Sequence, residues 1–166
     1  ADLDADGKLD VVVGRDGQDY YYLGVGGGPN STPTPIGPAT GDTLAIAVGD
    51  LNRDGAVDII TAGNMTGIRV FTNNGVGGFD VADEVTIAFV TRVTDLAIGD
   101  LNNDGWLDLV AAAYSTTVST SAFLNDGSGS LSTTGVALAL PANTRAVALA
   151  DVKNDGFLDV FLANYL

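Results

Sequence analysis

The sequence predicts an all-β protein made of β-propeller blades, each a four-stranded antiparallel repeat of about 50 residues. Three observations support this fold class. One aspartate-rich motif recurs four times at a nearly constant spacing. The apolar runs between its copies are short and end in turn-forming dipeptides. None of them shows the sustained period of about 3.6 residues that marks an amphipathic helix.

The aspartate-rich motif sets the length of the repeat. Its four copies are ADLDADGKLDVV from Ala1, GDLNRDGAVDII from Gly49, GDLNNDGWLDLV from Gly99 and ADVKNDGFLDVF from Ala150. Their first aspartates are separated by 48, 50 and 51 residues, a period in the range of propeller blades. We therefore expect a single repeat domain over 1–166, divided into a partial blade (1–48), two blades (49–98 and 99–149) and a second partial blade (150–166).

Each repeat is predicted to contribute four strands in a fixed order. Inner strands precede the motif, at 44–48, 95–99 and 146–150. Second strands follow it, at 11–13, 57–62, 107–112 and 158–162. Third strands, at 68–72 and 121–124, end in the hairpin dipeptides Asn74-Gly75 and Asp126-Gly127. Fourth strands are predicted at 85–90 and 136–140, and the Gly/Pro/Thr-rich segment 26–41 is predicted as a long loop or an irregular outer strand.

The strand count indicates an incomplete propeller, or arc. Strands two to four of one blade, two complete blades and two strands of another give about 13 strands, whereas propellers usually close with four to eight blades. We expect a piece of a larger protein, with pairing between copies through exposed edge strands as the alternative. A β-solenoid would have shorter repeats, and a β-sandwich need not repeat one loop four times.

The charge balance excludes two classes of partner. The chain has 21 acidic residues against 7 basic ones and a formal charge of −14, which disfavours nucleic acid and anionic membrane surfaces. No apolar run is long enough for a membrane span, so membrane insertion is not expected. Glu84 is the single glutamate, and such a bias toward aspartate is typical of short carboxylates that bind cations in tight loops.

The absence of cysteine and histidine removes most familiar catalytic chemistry. Usual zinc sites, disulfides and Cys or His nucleophile–base pairs are excluded. The motif copies hold 13 of the 21 acids, and the remaining eight form no recognisable acid–base pair. We therefore expect a protein that is not an enzyme.

The motif itself, D-x-[D/N]-x-D-G-x-x-D, predicts calcium binding. Oxygen donors at positions 1, 3, 5 and 9 and the carbonyl of position 7 can surround one hard cation, and glycine at position 6 permits the sharp turn. Position 12 is never Glu and the flanks are strand-like, which excludes an EF-hand. The predicted ligands of the first loop are Asp2, Asp4, Asp6, Lys8 (carbonyl) and Asp10; of the second, Asp50, Asn52, Asp54, Ala56 (carbonyl) and Asp58; of the third, Asp100, Asn102, Asp104, Trp106 (carbonyl) and Asp108.

The fourth loop departs from the pattern. Its predicted ligands are Asp151, Asp155, Phe157 (carbonyl) and Asp159, but Lys153 stands at position 3, where the other loops have an oxygen donor. Either this site is weak or empty, or the ammonium replaces the metal charge. Three Ca²⁺ sites are therefore expected, with the fourth left open.

At these residues the sequence resembles the FG-GAP/VCBS repeat family, whose blades occur in integrin α-chain propellers and in many bacterial secreted proteins. The segments VFTNNGVGGF and AFLNDGSGSL extend the resemblance to the third strands. The resemblance implies Ca²⁺ in the loop between the first and second strands and an extracellular, secreted or cell-surface location. Lys153 and the segment Tyr20-Tyr21-Tyr22-Leu23-Gly24, where other units have Phe-x-Asn, depart from it.

Function is less constrained than fold, since the family includes modules of several kinds. A structural or cell-adhesion module would bind a protein partner or neighbouring copies of itself. A lectin-like module would bind carbohydrate, and an appendage of a secreted polysaccharide-acting enzyme is a third reading. Tyr20–Tyr22 and Trp106 are candidate sugar platforms, although half-buried packing explains them more simply. Asn30 and Asn64 fit the N-glycosylation pattern of a glycoprotein.

Overall fold

The computed structural model describes residues 1–39, 41–79, 84–138 and 142–165. Within these ranges the chain forms fifteen strands and no helix. All pairings are antiparallel, and the strands make four successive sheets and one short hairpin. No helix in the described ranges is long and apolar enough to cross a membrane.

The first sheet has three strands in the order β1-β2-β5. Its strands are β1 (Val11–Val13), β2 (Asp19–Tyr22) and β5 (Thr34–Ile36). A hairpin of β3 (Gly24–Val25) and β4 (Gly28–Pro29) lies between β2 and β5 in the chain. The Gly/Pro/Thr-rich segment predicted as a loop or irregular outer strand thus contains a hairpin strand and the edge strand β5.

The second and third sheets are complete four-stranded meanders. The second sheet contains β6 (Thr43–Gly49), β7 (Asp58–Gly63), β8 (Ile68–Phe71) and β9 (Val85–Ile87). The third contains β10 (Val93–Gly99), β11 (Asp108–Ala113), β12 (Ser121–Phe123) and β13 (Val136–Ala137). The fourth strands are shorter than predicted, and residues 139 and 140 of the second prediction lie outside the described ranges.

The fourth sheet has only the inner and second strands, β14 (Thr144–Ala150) and β15 (Asp159–Asn164). The four-sheet series therefore contains 3, 4, 4 and 2 strands, as the sequence predicts for an arc. Every complete inner strand carries a bulge one residue from its start, at Leu44, Thr94 and Arg145. Inner strands β6, β10 and β14 lie side by side across the sheets.

The hydrophobic core lies between neighbouring sheets rather than within one. Ile59 and Phe71 of the second sheet pack with Ile36 and Tyr21 of the first. A larger cluster joins the second and third sheets through residues such as Ile60 and Phe123. Each sheet therefore depends on the next for burial of its apolar face, which is the stabilising principle of repeat proteins.

The fourth sheet is the exception to this burial pattern. All six residues of β7 and of β11 are buried, whereas no residue of β15 is fully buried and Phe161 is 45% exposed. The difference follows from position, because within the described residues no further sheet covers the outer face of β14 and β15.

Candidate metal sites

The four aspartate-rich loops occupy equivalent places in the four sheets. Each of the last three joins an inner strand to a second strand, and the strand pairs Gly49–Asp58, Gly99–Asp108 and Ala150–Asp159 close the loops at their base. The first loop is closed by the Asp10 amide, which donates to the Ala1 carbonyl (2.6 Å). We call this end of the sheets the loop end.

The loop backbone has the same left-handed turns in every copy. The residue at position 4 has φ between 55° and 59°, a conformation that non-glycine residues rarely adopt. The glycine at position 6 has φ between 84° and 89°. Two left-handed residues two apart bend the chain back on itself, so that positions 1, 3 and 5 come close together. The residues at position 4 are Ala5, Arg53, Asn103 and Asn154.

The carboxylate at position 1 is fixed by two amides of its own loop. Asp50 accepts hydrogen bonds from the amides of Asp54 (3.2 Å) and Gly55 (2.9 Å). Asp2, Asp100 and Asp151 accept the corresponding bonds at 2.8 to 3.2 Å. The four side chains therefore share one orientation, and that orientation is set by local backbone geometry alone.

Positions 3 and 5 are fixed in the same way. Asn52 Oδ1 accepts from the Asp54 amide (3.0 Å), and Asn102 Oδ1 accepts from the Asp104 amide (2.9 Å). In the first loop Asp4 accepts from the Asp6 amide (3.3 Å). The position 5 carboxylates accept from the amides of the residues predicted to ligate through their carbonyls, which are Lys8 (2.9 Å), Ala56 (2.8 Å), Trp106 (2.8 Å) and Phe157 (3.1 Å).

The aspartate at position 9 has a structural role that the motif does not reveal. Asp58 is buried and accepts from the amides of Leu51 (2.9 Å) and Asn73 (2.9 Å), tying its loop to the end of the third strand. Asp108 makes the same two bonds with Leu101 and Asn125. Burial raises the pKa of the Asp58 carboxyl, against the opposing effect of the two amides.

The donor set nevertheless fits a hard cation. In the first loop one oxygen each from Asp2, Asp4 and Asp10 lie within 4.8 Å of one another. A carboxylate oxygen that accepts one amide keeps a second lone pair, so position 9 retains capacity to ligate. Oxygen donors alone, most of them anionic, match the preference of Ca²⁺. Asp6 is engaged differently, since the Lys8 ammonium bonds to it and lowers the pKa of its carboxyl.

The fourth loop holds an ammonium group among its carboxylates. Lys153 Nζ forms a hydrogen-bonded ion pair with Asp159 and lies 3.7 Å from Asp155 Oδ2. The hydrogen bond from Lys153 lowers the pKa of the Asp159 carboxyl. The loop backbone keeps the φ values and position 1 bonds of the other copies. The lysine thus stands where a cation would balance the loop's negative charge.

Two asparagines at the start of the hairpin turns, Asn73 and Asn125, connect neighbouring loops. The Asn73 side-chain amide donates to the carbonyls of Leu3 (2.8 Å) and Val57 (3.0 Å), and therefore spans the first and second loops. Asn125 does the same with Leu51 (3.0 Å) and Leu107 (3.2 Å). The Phe-x-Asn segment, which recurs in the second and third sheets, is the sequence pattern from which these two contacts could have been predicted. Gly24 takes this place in the first sheet, where its amide donates to Asp10 Oδ1 (2.6 Å).

The loops also touch one another directly. Arg53, at position 4 of the second loop, donates to the Gly105 carbonyl of the third loop and lies over the Trp106 ring (4.8 Å). Asn103, at position 4 of the third loop, donates to the Gly156 carbonyl of the fourth (2.9 Å). The loop end is therefore a row of contacting loops rather than four separate turns.

The candidate sugar platforms are largely used for packing. Tyr21 is buried and meets Phe79 edge-to-face (5.4 Å between ring centroids), while Tyr20 lies beneath Arg15. Trp106 is covered by Arg53. Of the acids outside the loops, Asp19 is buried in an ion pair with Arg69 (2.9 Å), and Asp80 and Asp83 lie outside the described ranges.

Comparison with known families identifies the repeat. The family model for the FG-GAP-like repeat matches the chain three times, over residues 2–61, 50–111 and 100–162. Each match begins at or near position 1 of one aspartate-rich loop and runs past position 9 of the next. A search of curated proteins found no match. Because the matches cover nearly the whole chain, it belongs to the FG-GAP-like repeat family and is a β-propeller-like repeat module.

Proposed function

We propose that this protein is an extracellular calcium-binding repeat module whose bound ions stiffen an arc of blades for adhesion or protein interaction. The observation that supports the proposal most strongly is the fourfold recurrence of one loop geometry, in which the position 1 carboxylate accepts the glycine amide in every copy. A solvated acidic turn without a bound ion would not require the same left-handed residues and the same hydrogen bonds from backbone amides in all four copies.

Calcium would act here as a structural element. Three ions would change the formal charge from −14 to −8, since each adds two positive charges. At 4 Å, each pair of like charges costs about 1 kcal/mol in bulk water and about 4 kcal/mol at an effective dielectric of 20. A cation that binds the native loops alone therefore stabilises the fold by mass action.

The proposed ligands are the donors of the first three loops. Positions 1, 3, 5 and 9 would supply side-chain oxygens, and Lys8, Ala56 and Trp106 their carbonyls. In the fourth loop the Lys153 ammonium takes the place of the ion. Ca²⁺ is favoured over Mg²⁺ because the donors are numerous and mostly carboxylate, whereas Mg²⁺ keeps more of its water.

The extracellular location is part of the same proposal. Calcium sites of extracellular modules bind at about 10⁻⁴ to 10⁻³ M, so they fill only where calcium is abundant. Both sequon asparagines, Asn30 and Asn64, have exposed side chains, which is compatible with glycosylation in a host that performs it. A rigid arc that is not catalytic would present its loops and exposed edges to a protein partner or to neighbouring copies.

Calorimetric titration with CaCl₂ tests the calcium proposal. We expect three ions per chain, tighter binding of Ca²⁺ than of Mg²⁺, and a lost or weakened site in Asp54→Asn. Asp126→Asn is the matched control, because it removes the same charge from an exposed turn outside the loops. No calcium uptake at millimolar concentration, or equal effects of the two substitutions, would contradict the proposal.

A further inference from the structure

An alternating stack of arginine and tyrosine side chains crosses the third and fourth sheets. The Arg92 guanidinium lies 5.6 Å from the Tyr114 ring centroid. Arg145 lies over both Tyr114 (4.6 Å) and Tyr165 (5.2 Å), so it connects the two sheets. We call these four residues, Arg92, Tyr114, Arg145 and Tyr165, the Arg–Tyr ladder. Both arginines are exposed, and Tyr165 is 60% exposed.

The ladder lies at the end of the sheets opposite the calcium loops. Arg92 precedes the inner strand β10 and its carbonyl accepts from the Tyr114 amide (2.8 Å), just beyond the pair Val93–Ala113. Arg145 occupies the bulge of β14, the position held by Leu44 and Thr94 in the earlier inner strands. A bulge turns its side chain out of the regular alternation of the strand, which explains how Arg145 reaches two rings.

Among the residues that the structure describes, neither guanidinium of the ladder pairs with a carboxylate, although the chain has three acids for every base. Of the five other bases, Arg69 pairs with Asp19, Lys8 with Asp6 and Lys153 with Asp159. Arg53 donates to the Gly105 carbonyl, and Arg15 lies over Tyr20. Among the described residues, neither Arg92 nor Arg145 makes an ion pair or a side-chain hydrogen bond. Asp95 of the inner strand β10 accepts hydrogen bonds from the amides of Leu96 (3.0 Å) and Val147 (2.9 Å).

The repeat itself shows that folding does not require the ladder. The equivalents of Arg92 are Asp42 and Asn143, and those of Tyr114 and Tyr165 are Asp16 and Asn64. The equivalent backbone hydrogen bond forms in the second sheet, where the Asn64 amide donates to the Asp42 carbonyl (3.0 Å) and neither residue carries a ring. A basic, aromatic surface on the second half of the arc, at positions that hold Asp16, Asp42 and Asn64 on the first half, indicates a local binding role.

We propose that the Arg–Tyr ladder binds an acidic polysaccharide through the carboxylates of its uronic acid units. Guanidiniums held flat on tyrosine rings keep their N–H edges free for two-point bonds to a carboxylate. The exposed tyrosine supplies an apolar surface against which a sugar ring can lie. A chain of formal charge −14 repels double-stranded nucleic acid, which carries one charge per about 1.7 Å of its axis, more strongly than a uronic acid polymer with at most one charge per sugar.

A matched pair of oligosaccharides tests the proposal. The probes are cellohexaose and its C6-oxidised form, in which each glucose unit has become a glucuronic acid, titrated calorimetrically into the calcium-loaded protein. We expect binding of the oxidised form that weakens as salt is raised, and no measurable binding of the neutral parent. Arg145→Gln should weaken binding about tenfold or more, since it removes a charge-assisted two-point contact. Arg145→Lys should recover only part of the loss.

Arg15→Gln is the matched control, because Arg15 also lies over a tyrosine (5.7 Å from the Tyr20 ring) but among the acidic equivalents of the ladder. We expect this variant to bind the oxidised hexasaccharide like the parent protein. Unchanged calcium-dependent melting of Arg145→Gln separates loss of binding from loss of the fold. The proposal is wrong if the neutral sugar binds equally, if both arginine variants weaken binding alike, if nothing binds at millimolar sugar, or if a single-stranded oligonucleotide binds more tightly than the oxidised sugar.

Discussion

At the scale of single residues, two charge contacts, one buried and one exposed, distinguish this chain from a regular repeat. Asp19 is buried and accepts hydrogen bonds from Thr43 Oγ1 (2.8 Å) and Arg69 (2.9 Å), which join the first and second sheets. Lys153 replaces an oxygen donor and contacts the carboxylates of its loop. From each contact we predict the effect of one substitution.

Arg69→Met is expected to lower the free energy of unfolding by about 3 to 5 kcal/mol, because it leaves the buried Asp19 carboxylate without its counter-charge. Urea denaturation with calcium saturating measures this loss. Adding Asp19→Leu to Arg69→Met should restore part of the stability, since it removes the uncompensated charge but leaves the Arg15 amide and the Thr43 hydroxyl without their acceptor. A loss below about 1 kcal/mol for the single substitution would show that water or other groups solvate Asp19.

Lys153→Asn is expected to raise the number of bound calcium ions by one per chain. The substitution places an oxygen donor at position 3 of the fourth loop, as in the second and third loops, and removes the ammonium from Asp159. Equilibrium dialysis measures the stoichiometry. Lys8→Gln is the control, because Lys8 pairs with a loop carboxylate without occupying position 3. An unchanged stoichiometry in Lys153→Asn would mean that the ammonium does not block the site.

At the scale of elements, the turn after each third strand is shaped by the loop of the preceding repeat. A Cβ at Gly129 would lie 2.5 Å from Asn52 Cβ and 2.7 Å from Asn52 Cα, so the turn and the second loop are in backbone contact. Gly77 meets Asp4 in the same way at 2.9 Å. The first two aspartate-rich loops therefore form a continuous surface with the hairpin turns, and the turns contact the position 3 residues Asp4 and Asn52.

Gly129→Ala is expected to destabilise the protein and to weaken calcium binding by the second loop, because the added methyl group displaces Asn52. Gly127→Ala separates this effect from backbone strain. Both glycines have similar φ values, +92° and +85°, but a Cβ at Gly127 finds its nearest neighbour at 3.6 Å. Each substitution costs about 1 to 2 kcal/mol of strain.

The difference in thermal melting between the two variants measures the effect of the contact between Gly129 and Asn52. We expect Gly129→Ala to be less stable than Gly127→Ala by at least about 1 kcal/mol, the usual scale of overpacking. Equal stability, or equal calcium affinity, would show that the turn accommodates the added methyl group without displacing the second loop.

At the scale of the whole molecule, stability comes from the stacking of sheets and from control of negative charge. The two core clusters lie between adjacent sheets, and the contacting loops bring 13 of the 21 acids to one end of the arc. Without a cation, self-repulsion at the loop end opposes the compact state. Screening by salt and binding of calcium should therefore both raise the free energy of unfolding, because both reduce this repulsion.

Removal of calcium with a chelator is expected to lower the melting temperature, and added NaCl should recover part of the loss, since the Debye length falls from about 10 Å at 0.1 M salt to about 3 Å at 1 M. Differential scanning calorimetry at two salt concentrations measures both effects. With calcium bound, the same salt increase should change the melting temperature much less. A chelated protein that melts at an unchanged temperature would contradict a structural role for calcium.

The sequence by itself determined the features that depend on near neighbours in the chain. Loop geometry follows from glycine and short polar side chains at fixed spacing, and strand order follows from apolar runs and turn dipeptides. These features were predicted correctly for the second, third and fourth sheets, with edge strands such as β9 ending earlier than expected. Three predicted ligands of the first loop, Asp2, Asp4 and Asp10, have oxygens within 4.8 Å of one another, and calcium binding by the predicted ligands stays a prediction.

Only the tertiary structure decided the contacts between residues of neighbouring sheets. The pairs Arg69–Asp19, Asn125–Leu51 and Arg145–Tyr114 join residues separated by 50, 74 and 31 positions, and no local pattern encodes them. They arise because each sheet must bury its apolar face against the next, and that packing fixes which side chains meet across the boundary. The repeat motif determines the structure of each unit, whereas the packing between units determines the side-chain contacts that distinguish this protein.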